Sequence, residues 1–301
     1  MNIKDNLTIV IPTLNEAKAI GTVIRELKRI GYENIIVVDG YSDDGTDKIA
    51  IAEGAKVIYQ HGRGKADAIK TAIEVVKTKY IIVMDGDNSY DPNDIGKFLM
   101  HAENYDEIIG ARDYKNMSFT QRVGNRLITK IFNILMGTNL SDVCSGMYLL
   151  NLDFIRDYAL SSHGFSVEVE LAAYVSTYGR LTEVPVNFRK RIGKRKIKPL
   201  RDGARIIYSV LILASRFNPL ALFLPASIVT GLIGTVLIGI GIQNYLTTSM
   251  IDAVSLTIGM IFLMLTINFL TIATLAVLIK RVERRITRRI SRIKQTIKGN
   301  P

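Results

Sequence analysis

The sequence predicts an α/β domain with a mostly parallel sheet and helices on both faces, followed by an interfacial helix and two transmembrane α-helices. Three observations carry this reading. Short apolar, β-branched runs alternate with helix-period segments at least four times between residues 7 and 109, the pattern of a parallel sheet with crossover helices. Two stretches, 217–251 and 253–279, contain no charged residue, and each exceeds the roughly 20 residues that cross a bilayer as a helix. Basic residues crowd both flanks of those stretches.

The elements follow in order. Leu7–Ile11 reads as a strand ended by Pro12, and Asn15-Glu16 opens an amphipathic helix. Its Ile20, Val23, Ile24, Leu27 and Ile30 share one face before Gly31 stops it. A second strand, Asn34–Val38, leads into Asp39-Gly40-Tyr41-Ser42-Asp43-Asp44-Gly45-Thr46, where Asp43 or Asp44 caps a helix through about Glu53. Strand three covers Ala55–Tyr59, followed by Gly62-Arg63-Gly64-Lys65 and a helix to Val76. Tyr80–Met84 has the length and branching of a buried fourth strand. A helix from Pro92 to about Ala102 and a strand at Glu107–Ile109 continue the alternation. The expected division is an N-terminal α/β domain over 1–200, a juxtamembrane amphipathic helix over 201–216, a membrane part over 217–279 and a basic tail over 280–301. Within the membrane part the polar break Gln243–Ser249 separates spans at about 220–242 and 254–279.

Charge is unevenly placed. Residues 1–186 carry 20 basic and 25 acidic side chains, whereas 187–216 carry ten basic and one acidic, and 280–301 nine basic and one acidic. Positive charge on either side of apolar spans suits an anionic membrane surface and favours lipid over nucleic acid as the partner. The loop between the spans has no Lys or Arg, so the positive-inside bias expects both the N-terminal domain and the tail in the cytoplasm of a two-span protein of the cell membrane. The first six residues lack the charged-then-apolar pattern of a signal peptide. Cys144 is the single cysteine and cannot form an intrachain disulfide, as expected of a reducing compartment. In the tail Val282, Ile286, Ile290, Ile293 and Ile297 share a face; headgroup binding, a solvated basic helix and a contact between copies in a homo-oligomer stay open there.

The chemistry centres on Asp85-Gly86-Asp87-Asn88-Ser89-Tyr90-Asp91-Pro92. Two carboxylates one residue apart at the end of a buried strand reach the same loop. They offer hard oxygen ligands to Mg²⁺ or Mn²⁺, a cation that bridges to substrate phosphates. Taken alone, the stretch also reads as a polar turn in which Asp91-Pro92 caps the next helix. A dinucleotide fold is excluded, because Pro12-Thr13-Leu14-Asn15-Glu16 follows the first strand in place of Gly-x-Gly-x-x-Gly. Gly62-Arg63-Gly64-Lys65-Ala66 lacks the spacing of a phosphate-binding P-loop. Asp39 and the Asp85/Asp87 pair fit a nucleotide–metal site of another kind.

These motifs in succession resemble family 2, GT-A-fold glycosyltransferases. Within that family the chain is similar to polyprenyl-phosphate glycosyl synthases of the dolichyl-phosphate mannose or glucose type, over roughly residues 7–216. Gly110-Ala111-Arg112, Asp142-Val143-Cys144-Ser145-Gly146 and Phe188–Lys196 strengthen the resemblance. Four positions depart from it: Gly40 for a second aspartate, Ser89 for a frequent Gln, Tyr148 for a frequent Arg or Lys, and Arg195 for Ser. The Asp-Gly-Asp-x-Ser-Tyr form leans toward UDP-sugar users over GDP-mannose users.

The resemblance implies a nucleotide-sugar site of Pro12, Leu14, Glu16, Asp39, Lys65, Asp85 and Asp87, with metal at Asp85 and Asp87. It places the acceptor phosphate on Arg112, Arg126, Arg189, Arg191 and Lys196, and gives catalytic roles to Asp87, Arg112 and Arg126. Arginine suits a phosphate through bidentate contacts. Competing readings stand beside these: a helix-start carboxylate for Glu16, capping or surface roles for Lys65 and Asp67, and an ordinary helix face for Glu168 and Glu170, which otherwise close the sugar site. Asp142 is a candidate sugar or acceptor contact. Ser145 and Cys144 are not nucleophiles, since no His stands at a telling position. The implied reaction is inverting transfer of a sugar from a nucleotide-sugar to a polyprenyl phosphate. Its rivals are a membrane-anchored transferase acting on a glycan or protein, and a non-catalytic nucleotide-binding scaffold. A processive polysaccharide synthase is excluded, because its Gln-x-x-Arg-Trp motif cannot occur in a chain without tryptophan.

Overall fold

The computed structural model describes residues 3–161, 166–193 and 199–298. They divide into two compact units, 1–211 and 212–301.

The first unit is built on a seven-stranded mixed sheet in the order β3-β2-β1-β4-β6-β5-β7. The strands are β1 (Leu7–Thr13), β2 (Ile35–Asp39), β3 (Lys56–Tyr59), β4 (Tyr80–Val83), β5 (Glu107–Arg112), β6 (Tyr148–Asn151) and β7 (Leu181–Val186). Their connections include α1 (Ile20–Arg29), α2 (Thr46–Ala52), α3 (Lys65–Val75), α4 (Ile95–Leu99), α5 (Phe119–Met136), α6 (Leu152–Ile155) and α7 (Val167–Tyr178). β1 to β4 are mutually parallel; β6 is antiparallel to both its neighbours, and β7 returns parallel to β5. Both faces of the sheet are covered. Ile9, Ile11, Ile82 and Leu149 pack with Val23, Ile24 and Leu27 on one side, and Val10, Ile81, Val83 and Leu150 with Ile69, Leu171 and Val175 on the other. Central strands buried on both faces are why these runs are continuously apolar rather than alternating.

The structure moves several boundaries. β1 continues through Pro12 to Thr13. Parallel pairing sends the Ile9 N–H to Asn34 on the β2 side, so Pro12 faces β4, whose ladder has ended at Val83 and where no donor is needed. α1 begins at Ile20, not at Asn15-Glu16, because those backbone donors are engaged across the loops. Asn15 N donates to Ser42 Oγ, Glu16 N to Thr46 Oγ1 and Ala17 N to Asp44 Oδ2, at 2.8, 2.9 and 3.0 Å. Asp44 also accepts from Thr46 N, while Gly45 takes the cap position of α2. The helix expected after Pro92 is a 3₁₀ turn, Pro92–Asp94, followed by the short α4. The strand expected at 107–109 runs on to Arg112.

α8 (Pro199–Phe217) covers the expected amphipathic segment and contains the division between the units. The second unit consists mainly of α9 (Leu220–Thr248) and α10 (Ala253–Lys298). α9 incorporates most of the polar break that was expected to end it near residue 242, and the apolar segment and basic tail form one helix in α10. Leu220–Thr248 and Ala253–Glu283 are each long and apolar enough to cross a membrane, and their apolar stretches are almost entirely exposed. Apolar helices so exposed differ from the core helices of a soluble fold and fit two membrane spans. They pack at small residues: a Cβ on Gly234 would lie 3.0 Å from the Gly259 carbonyl, and the Thr230 and Thr266 hydroxyls are 2.9 Å apart.

Candidate functional site

The carboxyl ends of β1, β2 and β4 open onto a cleft of about 790 Å³. The loops there hold three non-glycine residues in the left-handed region: Asn15, Tyr41 and Asn88, at φ 54°, 64° and 62°. Asn adopts this conformation readily, whereas for Tyr it stores strain of the kind found at binding sites. Tyr41 lines the cleft and stacks on Tyr59 with ring centroids 5.4 Å apart.

Asp85 and Asp87 leave the end of β4 on the cleft floor. Asp87 Oδ1 accepts from Ser89 N and Oγ at 3.0 and 2.5 Å, and its Oδ2 lies 3.5 Å from Arg191 Nε. Burial and the Asp85 charge push the Asp87 carboxyl above the ordinary carboxylate value, with Ser89 and Arg191 opposing them. Asp85 is reached from the other side by Lys65, whose Nζ lies 2.6 Å from Asp85 Oδ1 and 2.7 Å from Glu168 Oε1. Burial disfavours the Lys65 ammonium, but the two carboxylates outweigh it and hold the lysine well above its ordinary value. Gly146 is required beside this group, since a Cβ there would run into the Asp85 carboxylate. Lys65 is therefore neither a cap nor a surface residue.

The basic stretch is tied to the acid loop through its backbone. Tyr90 and Phe188 form an antiparallel bridge, Arg189 N donates to Ser89 O at 2.7 Å, and Ile192 N to Asp87 O at 2.9 Å. Arg191 is thereby carried into the cleft, where its Nη2 meets Glu16 Oε1 at 3.0 Å.

Of the sequence-nominated residues, Pro12, Leu14, Glu16, Lys65, Asp85, Asp87 and Arg191 line this one cleft. Asp39 does not line it: the carboxylate is fully buried, accepting from Thr13 Oγ1 at 3.0 Å and from Ser42 N and Oγ at 2.7 Å each. Arg189 points elsewhere, paired with Glu26 and Asp91 at 2.8 Å each. Arg112 is clasped by the buried Asp142, Nε to Oδ2 at 2.5 Å and Nη2 to Oδ1 at 2.8 Å, and it also donates to the Cys144 carbonyl. Arg126, on α5, lies over the Tyr114 ring at 5.6 Å. Lys196 falls outside the described residues. Glu168 faces Lys65, whereas Glu170 is turned to Tyr158 and Ser161 and organises its own loop. Burial pushes the Cys144 thiol up, in keeping with an inert cysteine. Gly40, Tyr41 and Gln60 also line the cleft and were not nominated. Periodicity carries no signal for them, because they sit in loops that only the fold brings together.

Two carboxylates of like charge, one of them buried, fit a divalent cation. Among the described residues no group of three His, Cys, Asp or Glu side chains is placed to hold a metal. Asp85 and Asp87 could hold one as a pair, with water or ligand oxygens completing its shell.

A mostly parallel sheet with an acid pair at its strand ends defines a GT-A-type α/β domain. Residues 8–159 match the model described as Glycosyl transferase family 2, and the chain belongs to that family. Glycosyltransferase AglJ of Haloferax volcanii is 35% identical over 228 residues, 73% of this chain and 75% of that protein. The dolichyl-phosphate hexose transferase of the same organism is 32% identical over 214 residues, 69% of this chain and 93% of that protein. The second bears out the similarity to polyprenyl-phosphate glycosyl synthases. Among solved structures, glucosyl-3-phosphoglycerate synthase from Mycobacterium tuberculosis, in complex with Mn²⁺, uridine-diphosphate and phosphoglyceric acid, shares the fold. Its TM-score is 0.58 at 18% identity, covering 70% of this chain and 77% of that one.

Proposed function

We propose that the protein transfers a sugar, with inversion, from a nucleotide-sugar to a polyprenyl (dolichyl) phosphate, a UDP-hexose or UDP-HexNAc being preferred to GDP-mannose. The observation that carries this reading is the backbone pairing of the acid loop with the basic stretch, through Arg189 N–Ser89 O and Ile192 N–Asp87 O. A soluble neutral acceptor would leave that arrangement idle. A phosphate acceptor uses it, because two anionic groups must be brought together at one sugar against their repulsion. The dolichyl-phosphate hexose transferase named above supports the acceptor class. The neighbour crystallised with Mn²⁺ and uridine-diphosphate accords with the donor and metal class.

Pro12, Leu14 and the Gly40–Tyr41 loop receive the base and ribose, and Asp39 holds that loop in shape. Lys65 faces the donor diphosphate. A divalent cation, Mg²⁺ or Mn²⁺, held by Asp85 and Asp87, supplies the charge neutralisation that lets the diphosphate leave. The acceptor phosphate is already anionic at neutral pH, so no side chain has to remove a proton from it. Arg191, nearest the acid pair, is its first candidate contact, with Arg126 and Lys196 as further cations; Arg112 and Arg189 are already held by carboxylates. The catalytic part is taken as 1–200 and the juxtamembrane helix as 201–216. By the positive-inside bias the catalytic part and the basic tail face the cytoplasm.

Membranes containing the protein, incubated with labelled UDP- and GDP-sugars and extracted with organic solvent, test the reading. Label in the organic phase that depends on added polyprenyl phosphate is expected. Label confined to a water-soluble glycan or protein product would favour a different acceptor, and no transfer at all would favour a binding scaffold.

A further inference from the structure

Behind Lys65 lies a group of buried polar atoms that the transfer reaction leaves unused. Glu107 on β5 and Tyr148 on β6 are each 1% exposed, and Glu168 at the start of α7 is 6% exposed. Glu107 stands opposite Leu150 and Ile109 opposite Tyr148, so the two-residue period puts Glu107 and Tyr148 on one face of the sheet. That face carries Tyr148 and Leu150 against Val167, Leu171 and Val175 of α7. Three of its polar atoms, Glu107 Oε2, Tyr148 OH and Glu168 Oε2, are buried without a hydrogen-bond partner among the described residues. Such atoms are expensive in a protein interior, and three together mark a role beyond packing.

Their chemistry is complementary. Burial, and then the Glu168 charge, hold the Glu107 carboxyl well above the ordinary range, which favours its protonated form, an O–H donor. Burial and the same charge raise the Tyr148 phenol, a second O–H donor. Glu168 uses Oε1 to hold Lys65, leaving Oε2 to accept.

We propose that Glu107 and Tyr148 are positioning residues for the diphosphate end of the cleft: their unpartnered oxygens are poised to donate to Glu168, the carboxylate that pins Lys65 beside Asp85. The inference rests on the cleft being the nucleotide-sugar donor site. When a nucleoside diphosphate draws the ammonium toward itself, the two O–H groups stabilise the Glu168 carboxylate that Lys65 has partly left. A neutral donor at position 107 is what the arrangement requires, not a charge.

The test uses the full chain in lipid nanodiscs, titrated with UDP in the presence of Mn²⁺ and assayed for KM of the donor against kcat. Tyr148→Phe and Glu107→Leu are expected to weaken UDP binding and raise the donor KM by about tenfold each, the scale of a hydrogen bond to a charged group. Glu107→Gln, which keeps an N–H donor, should restore most of what Glu107→Leu loses. Thermal unfolding of Tyr148→Phe should stay close to that of the parent chain, since the change removes one oxygen and little volume. Unchanged UDP affinity in Tyr148→Phe and Glu107→Leu, with only stability lost, would assign the pair a structural role and overturn the proposal. Glu107→Gln behaving as badly as Glu107→Leu would overturn it too. A parent chain that binds neither UDP nor GDP would instead sink the donor reading on which it stands.

Discussion

Arg112 and Arg191 occupy two regions of the catalytic unit that treat a cation in opposite ways. Around Arg112, Asp142 is fully buried, contacts both Nε and Nη2, and is joined by the Cys144 carbonyl. Around Arg191 the side chain is about a quarter exposed, is shared between Glu16 and Asp87 at 3.0 and 3.5 Å, and borders an open cleft. The first arrangement is closed and serves the fold. The second has looser, partly solvated contacts and can be re-made around a phosphate. Sequence similarity nominated both arginines for one task, and burial separates them.

The largest effect expected is on the cleft side. Asp87→Ala should lower sugar transfer on the order of a thousandfold, the scale of losing a group that stabilises developing charge. The protein should remain in the membrane with its thermal unfolding little changed, because the substitution relieves a buried like-charge contact with Asp85. Full residual turnover would break the assignment of the acid pair.

Asp142→Ala should do the converse, leaving the Arg112 guanidinium buried and uncompensated. A loss of about 3–5 kcal/mol of stability is expected from thermal or denaturant unfolding. A stable Asp142→Ala variant with impaired acceptor use would move Arg112 into the open class and erase the distinction.

Arg191→Ala should sharpen it. Its partly exposed ion pairs contribute about 1 kcal/mol or less to stability, while the KM for polyprenyl phosphate should rise by about tenfold. Equal effects on folding and acceptor use would show that both arginines are structural.

The smallest effect concerns the tie between the loops. Burial opposes ionisation of Asp91, but the Asn93 amide and Arg189 outweigh it and hold the carboxyl below its ordinary value. Its contribution to stability is therefore fully present above the ordinary carboxylate range and is lost as pH falls through the depressed value. Hydrogen exchange at the Arg189 and Ile192 amides should accelerate only at that acid end, and Asp91→Asn should remove the pH dependence.

The legible and the illegible parts of the site divide along similar lines. Asp85 and Asp87 could be found because a buried strand must end somewhere, and a polar pair at its end has no packing purpose. Lys65 was nominated, but Glu168 and Glu170 could only be weighed together against an ordinary helix face. Two acidic residues two positions apart on an apolar helix look alike until one is seen facing Lys65 and the other Tyr158. Glu107 was invisible as a polar residue inside a strand run, since period two says which face a side chain takes but not what lies beneath it.

By itself the sequence determined the alternation of strands and helices, the two apolar spans, the asymmetry of charge and the acid loop. Each of these depends on neighbours close in the chain, where backbone geometry and hydrophobic period act directly. The tertiary structure alone decided the reversed strand β6, the continuation of β1 through Pro12, and which arginine is clasped and which faces the cleft. Those depend on contacts between residues far apart in the chain, from Ile9 with Asn34 through Arg112 with Asp142 to Glu16 with Arg191. Burial at such contacts is set by the packed sheet and its loops, which no local pattern encodes.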